Sequence, residues 1–257
     1  MKIAVLSPHH GDAAFALALS IGEWIEAGHK VQVVNCFSRS EQAPFAEMDF
    51  VHSNDRMSFV TALRSREDEI WRRKYGSALS LRDLNMKDAA RRLHKRADEV
   101  FGLAVDLADK AIEKIQKALE RIEADALVLP LALGGHIDAL LVREAPAGGA
   151  RAALPCAFYE DLPYAVRLEA AESIETIESV VQGLAQSLNT ELVATSASAA
   201  GDANAAVDRK RKMALCYDSQ VDDETVERIA QFCVRYDGRE RLWANPAWID
   251  AGPRLED

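Results

Sequence analysis

A three-layer α/β architecture, a mainly parallel sheet flanked by helices, is what this sequence predicts. Two observations carry the expectation. Short apolar runs of strand character alternate with longer stretches of helical periodicity, the order expected of strand–helix–strand units with right-handed crossovers. A polar loop, Pro8-His9-His10-Gly11-Asp12, directly follows the first apolar run. Open α/β sheets place their ligands at the carboxyl ends of strands, where such loops lie.

The elements follow in order. Residues 2–7 (Lys-Ile-Ala-Val-Leu-Ser) read as a buried strand and residues 13–27 as the helix after it. Gly28 ends that helix, and residues 31–37 form the second strand. Residues 38–56 form a polar loop carrying Phe45, Met48 and Phe50. A loop of that length near the carboxyl end of a sheet is a lid or a partner contact. Arg66-Glu67-Asp68-Glu69 reads as a helix face with intrahelical ion pairs. Residues 88–122 read as one long charged helix, with Leu93, Val100, Leu103, Leu107, Ala111, Ile115 and Leu119 as its apolar stripe. Residues 124–131 and 154–159 are the third and fourth strands, and residues 173–188 are an amphipathic helix. Residues 195–208, rich in Ala, Ser and Gly, read as a surface loop. Residues 249–257 read as a fraying tail. The whole is expected to be one Rossmann-like domain over residues 1–257.

Composition narrows the function classes. The chain has 257 residues, and a hydrophobic share of 49% is enough for a sizeable core. A net charge of -10 argues against nucleic acid or an anionic membrane as the main partner. No apolar run reaches the length of a transmembrane helix, and the opening apolar run is too short for a signal-peptide core. The four cysteines, Cys36, Cys156, Cys216 and Cys233, lack CxxC spacing. They read as reduced core residues of a cytoplasmic protein. The expected partner is a small molecule, with homo-oligomer formation left open.

On the first loop, His9 and Asp12 are spaced to grip one metal ion from one side. The competing role for Asp12 is that of a helix N-cap. His10 lies beside them and titrates near neutral pH, so it is a candidate base unless its side chain points away, as neighbours on an extended segment do. If a helical turn starts at His136, then His136 and position 139 share a face. Asp138 then serves either the site or the helix dipole.

Five segments carry a resemblance. Ser7-Pro8-His9-His10-Gly11-Asp12-Ala13 is similar to the first motif of the LmbE-like, or PIG-L (GlcNAc-PI de-N-acetylase), deacetylases, usually Pro-His-x-Asp-Asp. Gly134-Gly135-His136-Ile137-Asp138-Ala139 resembles their second motif, His-x-Asp-His, and Phe158–Ala165 a third segment. Lys212 with Tyr217-Asp218-Ser219-Gln220 resembles a fourth, and Glu240-Arg241-Leu242-Trp243 the family's end. The matches stand in family order from residue 2 to about residue 243.

The resemblance implies a zinc-dependent N-deacetylase scaffold with two gaps. Family zinc ligands map to His9, Asp12 and Ala139, and the general base maps to Gly11. The histidine that stabilises the tetrahedral intermediate maps to His136. A catalytic zinc normally has three protein ligands and one open position, and an alanine methyl offers no lone pair. A missing general base costs roughly 10²–10⁴-fold in rate. Asp138 or His136 is then a candidate for completing the metal site. Glu160, Asp161 and Tyr164 of the third segment are expected to line the substrate pocket, although Pro163 also suits a turn there. Arg39, after the second strand, is a weaker candidate for the same role.

Three functions are compatible with this pattern. The first is a repurposed small-molecule enzyme. The second is an ordinary zinc-dependent N-acetyl hydrolase with a rearranged site, and the third is a catalytically silent binding protein.

Overall fold

The computed structural model describes residues 1–148, 153–162, 164–167, 170–197 and 202–253. A seven-stranded sheet forms the middle layer. Its strands are β1 (Lys2–Ser7), β2 (Lys30–Asn35), β3 (Leu79–Asp83), β4 (Ala126–Pro130), β5 (Cys156–Tyr159), β6 (Val193–Ser196) and β7 (Arg241–Ala244), in the order β3-β2-β1-β4-β5-β7-β6. β1 to β5 pair in parallel, and β7 runs antiparallel to both β5 and β6. The sheet is therefore mainly parallel, as the apolar runs predict. β1, β2 and β4 are the most apolar strands, and β4 is buried at all five positions.

The helices are α1 (Asp12–Glu26), α2 (Arg56–Arg73), α3 (Ala89–Arg92), α4 (Lys110–Glu120), α5 (Ile137–Glu144), α6 (Ala170–Leu188), α7 (Ala203–Ala214), α8 (Asp223–Gln231) and α9 (Pro246–Ala251). The chain steps from β1 outward to β2 and β3, then returns to place β4 on the other side of β1. Right-handed crossovers in opposite directions put α1 and α5 on opposite faces. The order reverses between β1 and β4, and this is the point where open α/β sheets bind ligands.

α1 is kinked at Leu17 (φ -125°, ψ 18°). The backbone groups at the kink are met from outside the helix. Lys210 Nζ donates to the Phe15 carbonyl (2.9 Å), and Glu240 accepts from Leu19 N–H (3.2 Å) and Ser20 N–H (2.8 Å). Lys210 and Glu240 pair with each other at 2.5 Å, both buried. A buried ion pair is tolerable when its remaining hydrogen-bonding capacity is met in this way.

Several expectations need correction. The long helix over 88–122 is two helices, α3 and α4, joined by an irregular segment. His94 (φ 54°) and Gly102 (φ 66°) break the helical path, and Asp109 caps α4 by accepting from Ala111 N–H. Glu67 and Asp68 are buried on α2 and make tertiary contacts, so the charged run is no solvated face; only Glu69 makes the intrahelical pairs, with Arg72 and Arg73. Within the segment read as a surface loop, Thr195 and Ser196 end β6 and Ala203 opens α7. Residues 198–201 of that segment lie outside the described residues, as do 254–257 of the tail, whose first part belongs to α9. Among the described residues no helix is long and apolar enough to cross a membrane. All four cysteines are free.

Candidate active site at the reversal of the strand order

The loop after β1 is a tight structure held by its own polar groups. Ser7 Oγ donates to the His9 carbonyl (2.7 Å) and accepts from Ala13 N–H (3.2 Å). Gly11 sits at φ 94°, a conformation that a side chain would strain. Asp12 opens α1 but does not cap it. Its carboxylate turns back to His9, accepting from the backbone N–H (2.9 Å) and lying 3.2 Å from ring Nδ1.

The second half of the site comes from the start of α5, beside β4. His136 is the N-cap of that helix, and its Nδ1 accepts from Asp138 N–H (3.1 Å). A neutral imidazole whose Nδ1 accepts must carry its proton on Nε2. Burial first, and the neighbouring His9 second, lower the His136 pKa to about 4. His136 is therefore neutral near pH 7, with an Nε2–H to donate.

Asp138 is fully buried and saturated. Ala89 N–H donates to one oxygen (2.7 Å), Arg92 to the other (2.7 Å), and His9 Nε2 lies 3.1 Å from the first. Burial works against its charge, but His9 and Arg92 hold its pKa below the ordinary value. His9 thus sits between two carboxylates. Burial opposes a charge on its ring, yet hydrogen bonds and attraction from Asp12 and Asp138 prevail and raise its pKa to about 9.

These residues face a cavity of about 400 Å³. His9, Asp12 and His136 form its floor, Arg64, Gln220 and Asp88 are among its polar walls, and Val100, Phe101 and Tyr164 are among its apolar ones. Segment 100–102 is tied to the His136 turn by Gly102 N–H to Gly135 O (3.0 Å) and Ile137 N–H to Val100 O (3.0 Å). Phe101 meets the His136 ring edge-on at 5.1 Å and Tyr164 at 5.7 Å. Gly134 makes room for this shelf, because a Cβ there would lie 2.7 Å from the Tyr164 ring.

The donor set fits a metal in part. The 3.2 Å between His9 Nδ1 and Asp12 Oδ2 suits one edge of a zinc tetrahedron, given bonds of about 2.0–2.1 Å. Asp138 on the opposite ring nitrogen is the usual orienting carboxylate. His9, His136 and Asp138 offer atoms within 4.8 Å of one another. That triplet is not an open set, however. His136 Nδ1 is spent on Asp138 N–H, and Asp138 is filled by Arg92, Ala89 and His9. Ala139, to which the motif resemblance assigns the third ligand, is buried and offers no donor. Two ligands do not make a catalytic zinc site, so no step is derived through a metal.

The remaining candidates separate. Tyr164 lines the cavity. His10 points away from it, with its Nε2 3.1 Å from both oxygens of Asp83. Arg39 lies outside the lining, its guanidinium on Met57 Sδ (3.5 Å). Glu160, just after β5 and outside the cavity lining, accepts from Arg241 (2.5 Å) and Trp243 (3.1 Å) of the neighbouring β7 and from Tyr236 (2.9 Å). Asp161 is buried outside the lining and accepts from Leu133 N–H (3.1 Å). Burial raises its pKa to about 7, against the Leu133 N–H that lowers it. Pro163 lies outside the described residues. In the fourth segment the buried lysine is Lys210, while Lys212 is exposed. Sequence reasoning missed Arg64, Asp88 and Phe101; Arg64 lies two positions before the charged run singled out on α2, the nearest signal to it.

No family model matches the chain. It is 28% identical over 245 residues to a 2'-N-acetylparomamine deacetylase from Streptomyces fradiae, covering 94% of this chain and 81% of that protein. A deacetylase of the teicoplanin biosynthesis pathway superposes with a TM-score of 0.66 at 17% identity, over 95% of this chain and 98% of that one. A 4-carboxy-2-hydroxymuconate hydratase from Pseudomonas putida superposes at 0.55 with 12% identity, over 95% of both chains. The chain therefore has the α/β fold of the LmbE/PIG-L-like deacetylases and is related to deacetylases in sequence.

Proposed function

We propose that this protein is a small-molecule enzyme built on the deacetylase scaffold but repurposed away from zinc–water hydrolysis. One observation carries the reading. His136 keeps a donor fixed at the cavity floor, while the positions that would hold the third ligand and the base are Ala139 and Gly11. At φ 94°, and with a Cβ there 3.0 Å from the Phe15 ring, position 11 is poorly suited to carry the side chain of a base.

The chemistry left to the site is polarisation of a carbonyl. A donor preorganised in a buried cavity stabilises negative charge developing on oxygen, and removing one such donor typically costs on the order of 10²–10³-fold. His9, held between Asp12 and Asp138, links the two carboxylates, and together with Arg92 on Asp138 it offsets their charge. The related hydratase fold supports the idea that this scaffold serves reactions other than deacetylation.

A second reading has one observation in its favour. The His9–Asp12 edge has zinc-like dimensions, as an N-acetyl hydrolase with a rearranged site would need. The two readings separate in one experiment. The protein is incubated with N-acetylglucosamine and with an N-acetylated aminoglycoside, with and without zinc, and released acetate is measured. The repurposed enzyme releases none above a His136→Ala control. Zinc-dependent release lost in that variant overturns the proposal.

A further inference from the structure

Arg64 is a buried cation without a counter-ion. Its residue is 7% exposed, and among the described residues no carboxylate lies within ion-pair distance of it. Its partners are neutral: Gln42 O at 3.3 Å, His10 O at 2.9 Å and Gln220 Oε1 at 2.6 Å. Its Nε–H is buried with no partner at all. Arg64 lines the cavity that holds His9, Asp12 and His136.

The carboxylates of the same cavity are already engaged. Asp12 is taken by His9, Asp88 by Ser40 Oγ–H (2.5 Å) and Arg91 N–H (3.1 Å), and Asp98 by Arg96 (3.1 Å). Arg167, at the same cavity and stacked 5.9 Å over Tyr164, is a second guanidinium with no carboxylate partner among the described residues. Arg167 is exposed, so Arg64 is the buried cation of this lining that lacks a partner of opposite sign among the described residues. A buried charge left unpaired is costly.

The sequence explains how this arose. A Cβ on Gly11 would lie 3.3 Å from Gln220 Oε1, the atom that Arg64 grips. Residue 11 is also the neighbour of His10, whose carbonyl Arg64 holds. An acidic side chain at position 11 would stand beside the guanidinium, and glycine leaves that place without a charge. On the reading of the cavity as a small-molecule site, we infer that its ligand brings the missing carboxylate. The carboxylate occupies the corner beside Gly11 and is held by Arg64, with the ligand's carbonyl left to His136.

The test is calorimetric titration of the full chain with malonate and citrate at constant ionic strength, with inorganic phosphate as the competing anion. The expected result is one carboxylate ligand bound per chain, more tightly than phosphate. Arg64→Gln should weaken it about ten- to hundredfold, the scale of a charge-assisted hydrogen bond. Arg64→Lys, which keeps the charge but loses the fork, should fall between; it also serves if the glutamine variant does not fold. No carboxylate binding by the wild type, equal binding by Arg64→Gln, or tighter binding of phosphate overturns the assignment. Acetate release is not read in this titration, so failure of the repurposed-enzyme reading shows separately.

Discussion

The front and the back of the β1 loop have fared differently. At the front, the positions to which the motif resemblance assigns the base and the third zinc ligand are Gly11 and Ala139. At the back, a buried polar network holds the loop, with only Asn35 Oδ1 and Ser219 Oγ of its members left without a partner among the described residues. Asp68 accepts from Gly11 N–H (3.2 Å), Tyr217 O–H (2.7 Å) and Asn35 Nδ2 (2.7 Å), while Asn35 and His10 both hold Asp83. Glu67 accepts from Ser219 N–H (2.9 Å) and Gln220 Nε2 (3.0 Å). The back is held by many buried hydrogen bonds, while positions 11 and 139 at the front carry no functional side chain. On the proposed function, that difference is what a cavity kept in shape for another ligand would show, with His9, Asp12, His136 and Arg64 lining it.

Stability measurements can break this comparison. The largest loss is expected deep in the scaffold. Lys210→Met leaves Glu240 buried without its cation and should cost about 3–5 kcal/mol by urea denaturation. Asp68→Ala strips three donors of their acceptor and should cost roughly 2–4 kcal/mol. The front is expected to be much softer: Asp12→Ala should cost about 1 kcal/mol or less, because catalytic and binding residues are placed for function more than for stability. Equal losses from Asp68→Ala and Asp12→Ala would erase the contrast.

Asp161 sharpens it through pH. Its pKa is about 7 in the folded protein against 3.8 ordinarily, with burial as the main cause. A carboxyl whose pKa rises on folding binds more protons in the native state than in the unfolded one. Stability is then greatest below the unfolded value and falls as pH rises through the folded one. Between pH 5 and 8 the loss should approach about 3 kcal/mol as an upper bound. Asp161→Asn should flatten that slope, which denaturation at the two pH values measures directly. The smallest effect belongs to the exposed end of α2. Glu69→Gln, breaking the Arg72 and Arg73 pairs, should leave the denaturation midpoint essentially unchanged, because exposed ion pairs are screened by solvent.

The sequence was most legible where burial is uniform. β1 and β4 are apolar runs, and the polar loop between β1 and α1 stands out against them. β3, with Ser80 and Arg82 set between buried or half-buried residues, and the four-residue β6 and β7 carry too little periodicity to be seen. The charged run on α2 looks like a solvated face because the partners of Glu67 and Asp68 lie about 150 positions away, at Tyr217, Ser219 and Gln220. Glu160 matches a pocket-lining pattern, but Arg241 and Trp243 on the antiparallel strand hold it outside the cavity lining. For His10, the alternation of an extended segment already allowed the orientation seen.

On the proposed function, the front lacks a working zinc site while the loop around it is preserved. Metal content tests this most directly. Wild type and Ala139→His are each incubated with zinc, dialysed and analysed by elemental mass spectrometry. Wild type is expected to hold well under one zinc per chain. Ala139→His is expected to hold about one, where a third ligand meets the existing His9–Asp12 edge. One tightly held zinc per wild-type chain would contradict the proposal.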